Sequence, residues 1–230
     1  MSVYEYPQRG EGTCQGGAGL VWNKSGLFLV VQASPYAHGF LASKDAIRAA
    51  GSELAETLDV RIRNYAMAHG GDEDQFIHRM TRQVASQMIA VLESAQMRVR
   101  ALYRLGLVED VPAVCLAKII PLSKESHSPQ RLFFIQDGGG QLLIQQGQRI
   151  TQAHTPGVHF LDLRQGDRFA MFDRKIGESA SHRMVSILQS KREDSLVRDS
   201  LVWELQRDRT LFADRPAHVL VHTVSSFPKE

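Results

Sequence analysis

Residues Gly26–Ser43 read Gly-Leu-Phe-Leu-Val-Val-Gln-Ala-Ser-Pro-Tyr-Ala-His-Gly-Phe-Leu-Ala-Ser, and the rest of the chain is interpreted around them. The unbroken apolar run Leu27–Val31 has the length of a buried β-strand and is too short to cross a membrane. Ser34-Pro35 ends this strand, because proline cannot donate a backbone hydrogen bond to a neighbouring strand. A loop of small residues between a core strand and a helix often carries catalytic or binding residues. The residue at the end of this strand is the amide Gln32, not a charged residue.

The composition is that of an ordinary globular protein. Apolar residues make up 43% of the 230 positions, and the 27 Lys and Arg nearly balance the 25 Asp and Glu, so no broad basic surface for nucleic acid is indicated. No apolar run approaches the roughly 18 residues of a membrane span, and the N-terminus has no signal-peptide pattern. The two cysteines, Cys14 and Cys115, are far apart and lack metal-ligand spacing. We therefore expect a cytoplasmic protein that binds neither nucleic acid nor membrane.

The first half of the chain reads as two strands followed by two helices. Residues 1–17 form a flexible glycine-rich lead-in to an edge strand at Ala18–Trp22, and Asn23–Gly26 is a hairpin turn. Apolar residues at steps of three and four predict helices over residues 43–68 and about 76–102, separated by Gly70-Gly71. Such a helical hairpin can cover one face of a sheet with its apolar stripe.

The second half alternates short strands and turns before two more helices. The Asp137–Gly140 segment between apolar runs is a strong hairpin signal. Strands are predicted at 113–120, 132–135, 142–144, 149–151, 169–172 and 218–224, and helices at about 179–189 and 193–206. Helices inserted between groups of antiparallel strands indicate an α+β layered fold, and the absence of a linker indicates one domain over residues 1–230.

This order of elements resembles the type 2C metal-dependent Ser/Thr protein phosphatases (the PPM family). The similarity runs from about Arg9 to Val224 and is strongest over Leu132–His154. The family has a hairpin turn Gly-Asp-Ser-Arg and then Thr-x-Asp-His, where this chain has Asp137-Gly138-Gly139-Gly140 and Thr151-Gln152-Ala153-His154. The resemblance implies a four-layer α-β-β-α sandwich, in which helices flank two antiparallel sheets.

The resemblance also identifies the positions of the family's metal site, which holds two divalent cations bridged by the attacking water. Such a site needs hard oxygen ligands, mostly carboxylates. The family's Asn-Glu-Asp-Ala is Gln15-Gly16-Gly17-Ala18 here, and its Asp-Gly-His-Gly-Gly begins Gln32-Ala33. Its later Asp-Gly is Asp173-Arg174, and its final acidic pair is Asp214-Arg215. The degenerate metal-site positions are therefore Gly17, Gln32, Ala33, Asp173 and Asp214.

The loss of carboxylates at these positions leads to our main functional hypothesis. Gln32 offers a neutral carbonyl oxygen and cannot balance two cations, and uncompensated charge at a dry site costs several kcal/mol per ion. We expect a pseudophosphatase without cofactor, catalytic residue or metal ligand, which binds an unidentified protein partner in phosphorylation signalling. Arg9 corresponds to the family's phosphate-binding arginine, although a solvated arginine is the simpler interpretation. The sequence leaves the oligomeric state open.

Two other hypotheses stay open. One is a divergent active phosphatase that holds Mn²⁺ or Mg²⁺ with Asp173, Asp214 and a further acid such as Glu11. The other is an N-terminal-nucleophile hydrolase, which shares the layered architecture but needs processing before a residue such as Thr13 or Cys14, and no such signal is present. We rank the N-terminal-nucleophile hydrolase last. The lone histidines beside loops, His38 and His154, are interpreted as structural or solvated.

Overall fold

The computed structural model describes residues 18–24, 27–34, 79, 81–90, 93, 97, 104–105, 114–122, 129–137, 140–153, 157–172, 176–207 and 219–225. The glycine-rich lead-in and the predicted helix over 43–68 lie outside these residues. Helical residues at 79, 81–90, 93 and 97 agree with the second predicted helix; the segment 81–90 is called α1 here. Among the described residues, no helix has both the length and the apolar character needed to cross a bilayer.

The larger sheet contains the apolar strand from which the sequence was interpreted. Its order is β1-β2-β3-β4-β7, and each neighbouring pair is antiparallel. The strand β2 lies between β1 and β3, so its backbone is paired on both sides, as its continuous apolar run predicts. The five strands are β1 (Ala18–Lys24), β2 (Leu27–Ser34), β3 (Val114–Pro121), β4 (Gln130–Asp137) and β7 (Val158–Leu163).

The second sheet has the order β6-β5-β8-β9 and is also antiparallel throughout. Its hairpin between β5 and β6 turns at Gly147, whose φ of 57° lies in the left-handed region that glycine adopts without strain. The four strands are β5 (Gln141–Gln146), β6 (Arg149–Ala153), β8 (Arg168–Phe172) and β9 (Val219–Thr223).

The two sheets pack face to face around a core of alternate strand residues. Phe28 in β2 meets Phe169 in β8 edge to face, with ring centroids 5.1 Å apart, and His222 in β9 lies 4.7 Å from Phe28. This inter-sheet core buries side chains from seven strands and from the segment after β9; among its members are Val30, Cys115, Ala117, Leu132, Phe134, Leu142, Ile144, Leu163, Met171, Leu220 and Val224.

Helices cover the outer faces of both sheets. The helices α2 (Glu178–Leu188) and α3 (Asp194–Arg207) bury Met184 and Leu201 against Leu143 in β5 and Phe172 in β8. On the other side, the Arg131 Nη1 of β4 donates a hydrogen bond of 2.8 Å to Thr81 Oγ1 of α1. The predicted four-layer α-β-β-α order is therefore confirmed, and so are both predicted C-terminal helices, to within two residues.

Several strands run further than the apolar pattern predicts. The strand β2 continues to Ser34, β3 includes Pro121, and β4 includes Asp137, which was predicted to lie in a turn. Backbone pairing causes these extensions, since Pro121 still lies opposite Gln130 and Asp137 opposite Val114. The edge strand β7 was not predicted. Its sequence Val-His-Phe-Leu-Asp-Leu does not alternate cleanly between apolar and polar residues.

Candidate functional site

Hydrogen bonds between the sheets show which strand ends lie together. At one end of the sandwich, Gln130 Nε2 at the start of β4 donates to the backbone oxygen of Ser225, just after β9, at 3.0 Å. Toward the other end, Gln136 Nε2 near the end of β4 donates to the backbone oxygen of Ala153 at the end of β6, at 3.2 Å. The strand β9 therefore ends where β4 begins, and it starts at the opposite end.

The same opposite end of the sandwich collects the strand ends that the resemblance to type 2C phosphatases singles out. Phe172, the last residue of β8, pairs with Val219, the first residue of β9. In the other sheet, Val31 near the end of β2 pairs with Val114, which also pairs with Asp137 at the end of β4. We call this region, where β2, β4 and β8 finish and β9 begins, the site end.

A β-bulge lies at the site end, in β2, which carries two of the five predicted metal-site positions. Ala18 pairs with Ser34 and Leu20 pairs with Val31, so the two residues Gln32 and Ala33 lie opposite the single residue Gly19. An extra residue of this kind bends the strand and changes the direction of its side chains, and bulges are over-represented beside active sites. The structure thus places an amide residue and an alanine at the irregular end of β2.

The other predicted positions lie outside the described residues. They are Arg9, Gly17, Asp173 and Asp214, and the same holds for Glu11, Thr13, Cys14, His38 and His154. Gly17 is adjacent in sequence to Ala18, and Asp173 to Phe172, and both of these described neighbours lie at the site end. Asp214 precedes the start of β9 by five residues. The topology therefore places the described neighbours of Gly17 and Asp173 at the same end of the sandwich.

Asp137 is a residue at the site end that the sequence interpretation missed. It was assigned to a hairpin turn, whereas the structure makes it the last residue of β4, in one row with Val114 and Val31. Its position could be found only from the pairing of β4 with β3, because Asp before glycines is also the common signature of a turn.

A buried amide connects the site end to the helical layer. Gln141, the first residue of β5, lies opposite Phe172 and is 1% exposed. Its Oε1 accepts a hydrogen bond of 2.6 Å from the backbone N–H of Ile176, which fixes the orientation of the amide. Its Nε2 has no hydrogen-bond partner in the described part of the chain. This buried nitrogen is a donor and cannot act as a ligand for a cation.

The metal centre that the resemblance implies holds two divalent cations. Such a centre needs several carboxylates around a common point, and no group of three His, Cys, Asp or Glu that could hold an ion occurs among the residues the structure describes. By residue type, a glutamine can offer a cation only a neutral carbonyl oxygen, and an alanine side chain has no ligand atom.

Two titratable groups, Cys115 in the inter-sheet core and His222 packed against it, are poorly suited to acid–base or nucleophilic chemistry. Burial lowers the pKa of His222 to about 4, and the nearby Asp194 carboxylate opposes this shift only in part. Burial raises the pKa of the Cys115 thiol far above neutral, so this cysteine is not a thiolate nucleophile. Both side chains therefore stay neutral at pH 7 and serve as packing groups.

Comparison with known proteins identifies the fold. No protein-family model matches the chain, and no curated protein sequence matches it. The solved structure of the Mycobacterium tuberculosis serine/threonine phosphatase PstP/Ppp is similar, with a TM-score of 0.59, 11% identity, and coverage of 94% of this chain and 95% of that one.

Two further solved structures are similar to this chain over nearly its whole length. The catalytic domain of PstP in complex with two manganese ions has a TM-score of 0.58 and 14% identity, with coverage of 94% of this chain and 96% of that one. PppA, a regulatory component of T6SS in Pseudomonas aeruginosa, has a TM-score of 0.54 and 13% identity, and the match covers 96% of each chain. The chain therefore has the type 2C-like fold of the metal-dependent Ser/Thr protein phosphatases.

Proposed function

We propose that this chain is a pseudophosphatase, a type 2C-like domain that binds a protein partner and does not hydrolyse phosphate esters. The observation that carries the proposal is the bulge at the end of β2, where Gln32 and Ala33 occupy the strand end. In the resembled family, this strand end supplies the aspartate that bridges the two metal ions. We further propose a cytoplasmic location, which the two distant cysteines support. The loss of the acidic positions supports a regulatory role in phosphorylation signalling.

Charge balance is the physical argument for inactivity. Two divalent cations bring four positive charges, and a neutral amide cannot replace a bridging carboxylate. Partly desolvated ions without enough negative ligands cost several kcal/mol each, which opposes binding at ordinary metal concentrations. Without the metals, the site end would lack the Lewis acids that activate a water and stabilise the charge developing on a transferring phosphoryl group.

A phosphatase assay tests this proposal. We expect the full chain to hydrolyse neither p-nitrophenyl phosphate nor a phosphothreonine peptide above the rate without protein, with either Mn²⁺ or Mg²⁺ present. Metal-dependent turnover that is lost in Asp173→Ala, but retained in the matched control Asp162→Asn, would refute the pseudophosphatase. Asp162 is a suitable control because its carboxylate lies on the edge strand β7 and pairs with Arg131.

One observation favours the alternative of a divergent active phosphatase. Asp137 ends β4 in the same row as Val31 at the site end, so a further acidic residue lies near the segments that lead to Asp173 and Asp214. These three acids would bind Mn²⁺ or Mg²⁺ through carboxylate oxygens, and the metal would supply an activated water. This alternative predicts that Asp137→Asn lowers metal-dependent activity as strongly as Asp173→Ala does.

A further inference from the structure

A groove lies on the solvent side of the helical layer. It has a volume of about 570 Å³ and lies between α2 and α3. Its apolar lining comes from Ile187 near the end of α2 and from Leu196 and Trp203 in α3. Neither α3 side chain is needed for the core beneath, because that helix already buries Val197 and Leu201 against the sheet.

The apolar residues of this groove form one stripe along α3. Leu196, Ser200 and Trp203 are spaced at four and then three residues, which places them on the same face of a helix. Leu196 is 54% exposed and Trp203 is 57% exposed, which is unusual for two large apolar side chains that share a face. The small Ser200 between them leaves room for another backbone to approach.

The acidic residues that line the groove already have basic partners. Glu204 is buried and pairs with Arg183, with Nε and Oε2 2.6 Å apart. Asp199 pairs with its neighbour Arg198 at 2.8 Å. The local carboxylates are therefore largely neutralised.

The groove also has basic residues near both ends of its stripe. Within the described part of the chain, neither Arg192 nor Arg207 forms an ion pair, and Arg207 places its guanidinium 5.3 Å from the centre of the Trp203 ring. Lys191 adds a further positive charge, and Glu193 is the nearby acid that lacks an ion pair among the described residues. Among the described residues around this apolar stripe, the charge that lacks an ion-pair partner is therefore mainly positive.

We propose that this groove binds an acidic amphipathic helix of a protein partner. A helix with apolar residues at i, i+3 or i+4, and i+7 would place them on Leu196 and Trp203, and its acidic residues would meet Arg192 and Arg207. The stripe from Leu196 to Trp203 spans seven residue steps, about 10 Å, so a partner helix of two turns covers it. A partner helix of about four turns matches the full length of α3, about 21 Å for 14 residues, and reaches the arginines beyond the stripe. Tryptophan and arginine are also the residues that most often dominate binding energy at protein interfaces. This inference rests on the proposed binding function and specifies its partner.

A selection from displayed peptides tests the inference. The full chain is immobilised and exposed to random 16-residue peptides displayed on phage, with counter-selection on a Leu196→Ala/Trp203→Ala variant. We expect enriched peptides rich in Asp and Glu, with apolar residues at steps of three and four. Their affinity should fall at least about tenfold in the double variant and in Arg192→Glu/Arg207→Glu. Phe160→Ala, which removes a half-exposed aromatic residue from the edge strand β7, should leave binding unchanged.

Several results would overturn the inference. They are a selection without enrichment, enrichment of basic or non-periodic peptides, and equal binding to the double variant. Self-association of the wild-type chain that the double variant abolishes would show that a second copy occupies the groove instead. Thermal unfolding checks that each variant is folded. Because the readout is peptide binding and not phosphate release, failure here is distinct from a finding of phosphatase activity.

Discussion

Replacing Arg168 with methionine is expected to lower the free energy of unfolding by about 3 kcal/mol. Arg168 begins β8 and is 9% exposed. Its guanidinium donates hydrogen bonds to the backbone oxygens of Leu188, Ser190 and Arg192 at 3.1, 2.8 and 2.8 Å, and it pairs with Asp194 at 3.2 Å. One side chain thus holds the connection between α2 and α3 against the sheet.

Methionine keeps most of the volume of the Arg168 side chain but removes every donor. Three carbonyl oxygens and the Asp194 carboxylate would lose a partner, and each unsatisfied buried group costs about 1–3 kcal/mol. We place the total at the low end of the range for a broken buried ion pair, because the Asp194 side chain is 31% exposed and can recover water.

Urea unfolding of the variants measures this effect. Arg198→Met is the matched control, since Arg198 is 42% exposed and, among the described residues, pairs only with its sequence neighbour Asp199. This exposed pair is worth less than about 1 kcal/mol. If Arg168→Met destabilises the protein no more than Arg198→Met does, then Arg168 does not hold the helical layer in the way described.

The second large effect is a loss of stability in mild acid that depends on His222. This histidine packs against Phe28 and Phe169, and burial lowers its pKa from 6.5 to about 4. Between these two values the unfolded chain binds a proton that the folded chain does not bind. Stability must therefore fall as the pH drops from about 6.5 to about 4, by up to about 3 kcal/mol from this group.

His222→Leu isolates this contribution. The free energy of unfolding is measured for wild type and variant at pH 7 and at pH 4.5. We expect the variant to lose about 2–3 kcal/mol less than wild type over this interval. The control His182→Leu, at an exposed position on α2, should keep the wild-type pH dependence. An identical pH dependence in wild type and His222→Leu would show that the acid sensitivity arises elsewhere.

The sequence predicts the layers of this fold because its signals there are local. The apolar run Leu27–Val31 forms a paired inner strand, and the periodic segments near 179–189 and 193–206 form helices. The edge strand β7 was missed since an edge strand is only partly buried: Phe160 in this strand is 52% exposed. Its apolar residues therefore do not follow the alternation of a strand with one buried face.

The site end depends on pairing between distant residues, which one sequence does not contain. The bulge at Gln32 and Ala33 is defined by the pairing of β2 with β1, in which these two residues lie opposite Gly19. Asp137 lies in the same row as Val31 because both pair with Val114 in β3. The resemblance to type 2C phosphatases identified Gln32 and Ala33 from the family motif that they replace, without any knowledge of the strand pairing.

The groove on α3 could have been found from the sequence. Val197, Leu201 and Leu205 repeat every four residues and are buried, whereas Leu196 and Trp203 fall on a different face of the same helix and are exposed. Sorting the apolar residues of this helix by their angle around the axis would have separated the two sets.

Counting the Mn²⁺ ions that the full chain binds is the most direct test of the central claim, which is that the site end lacks the charge to hold two metal ions. The chain is titrated with Mn²⁺ to millimolar concentration, and free Mn²⁺ is followed by its paramagnetic resonance signal. We predict no stoichiometric binding of two ions per chain, and the same signal for wild type and Asp173→Ala. Two bound ions per chain, lost together in Asp173→Ala, would contradict the claim.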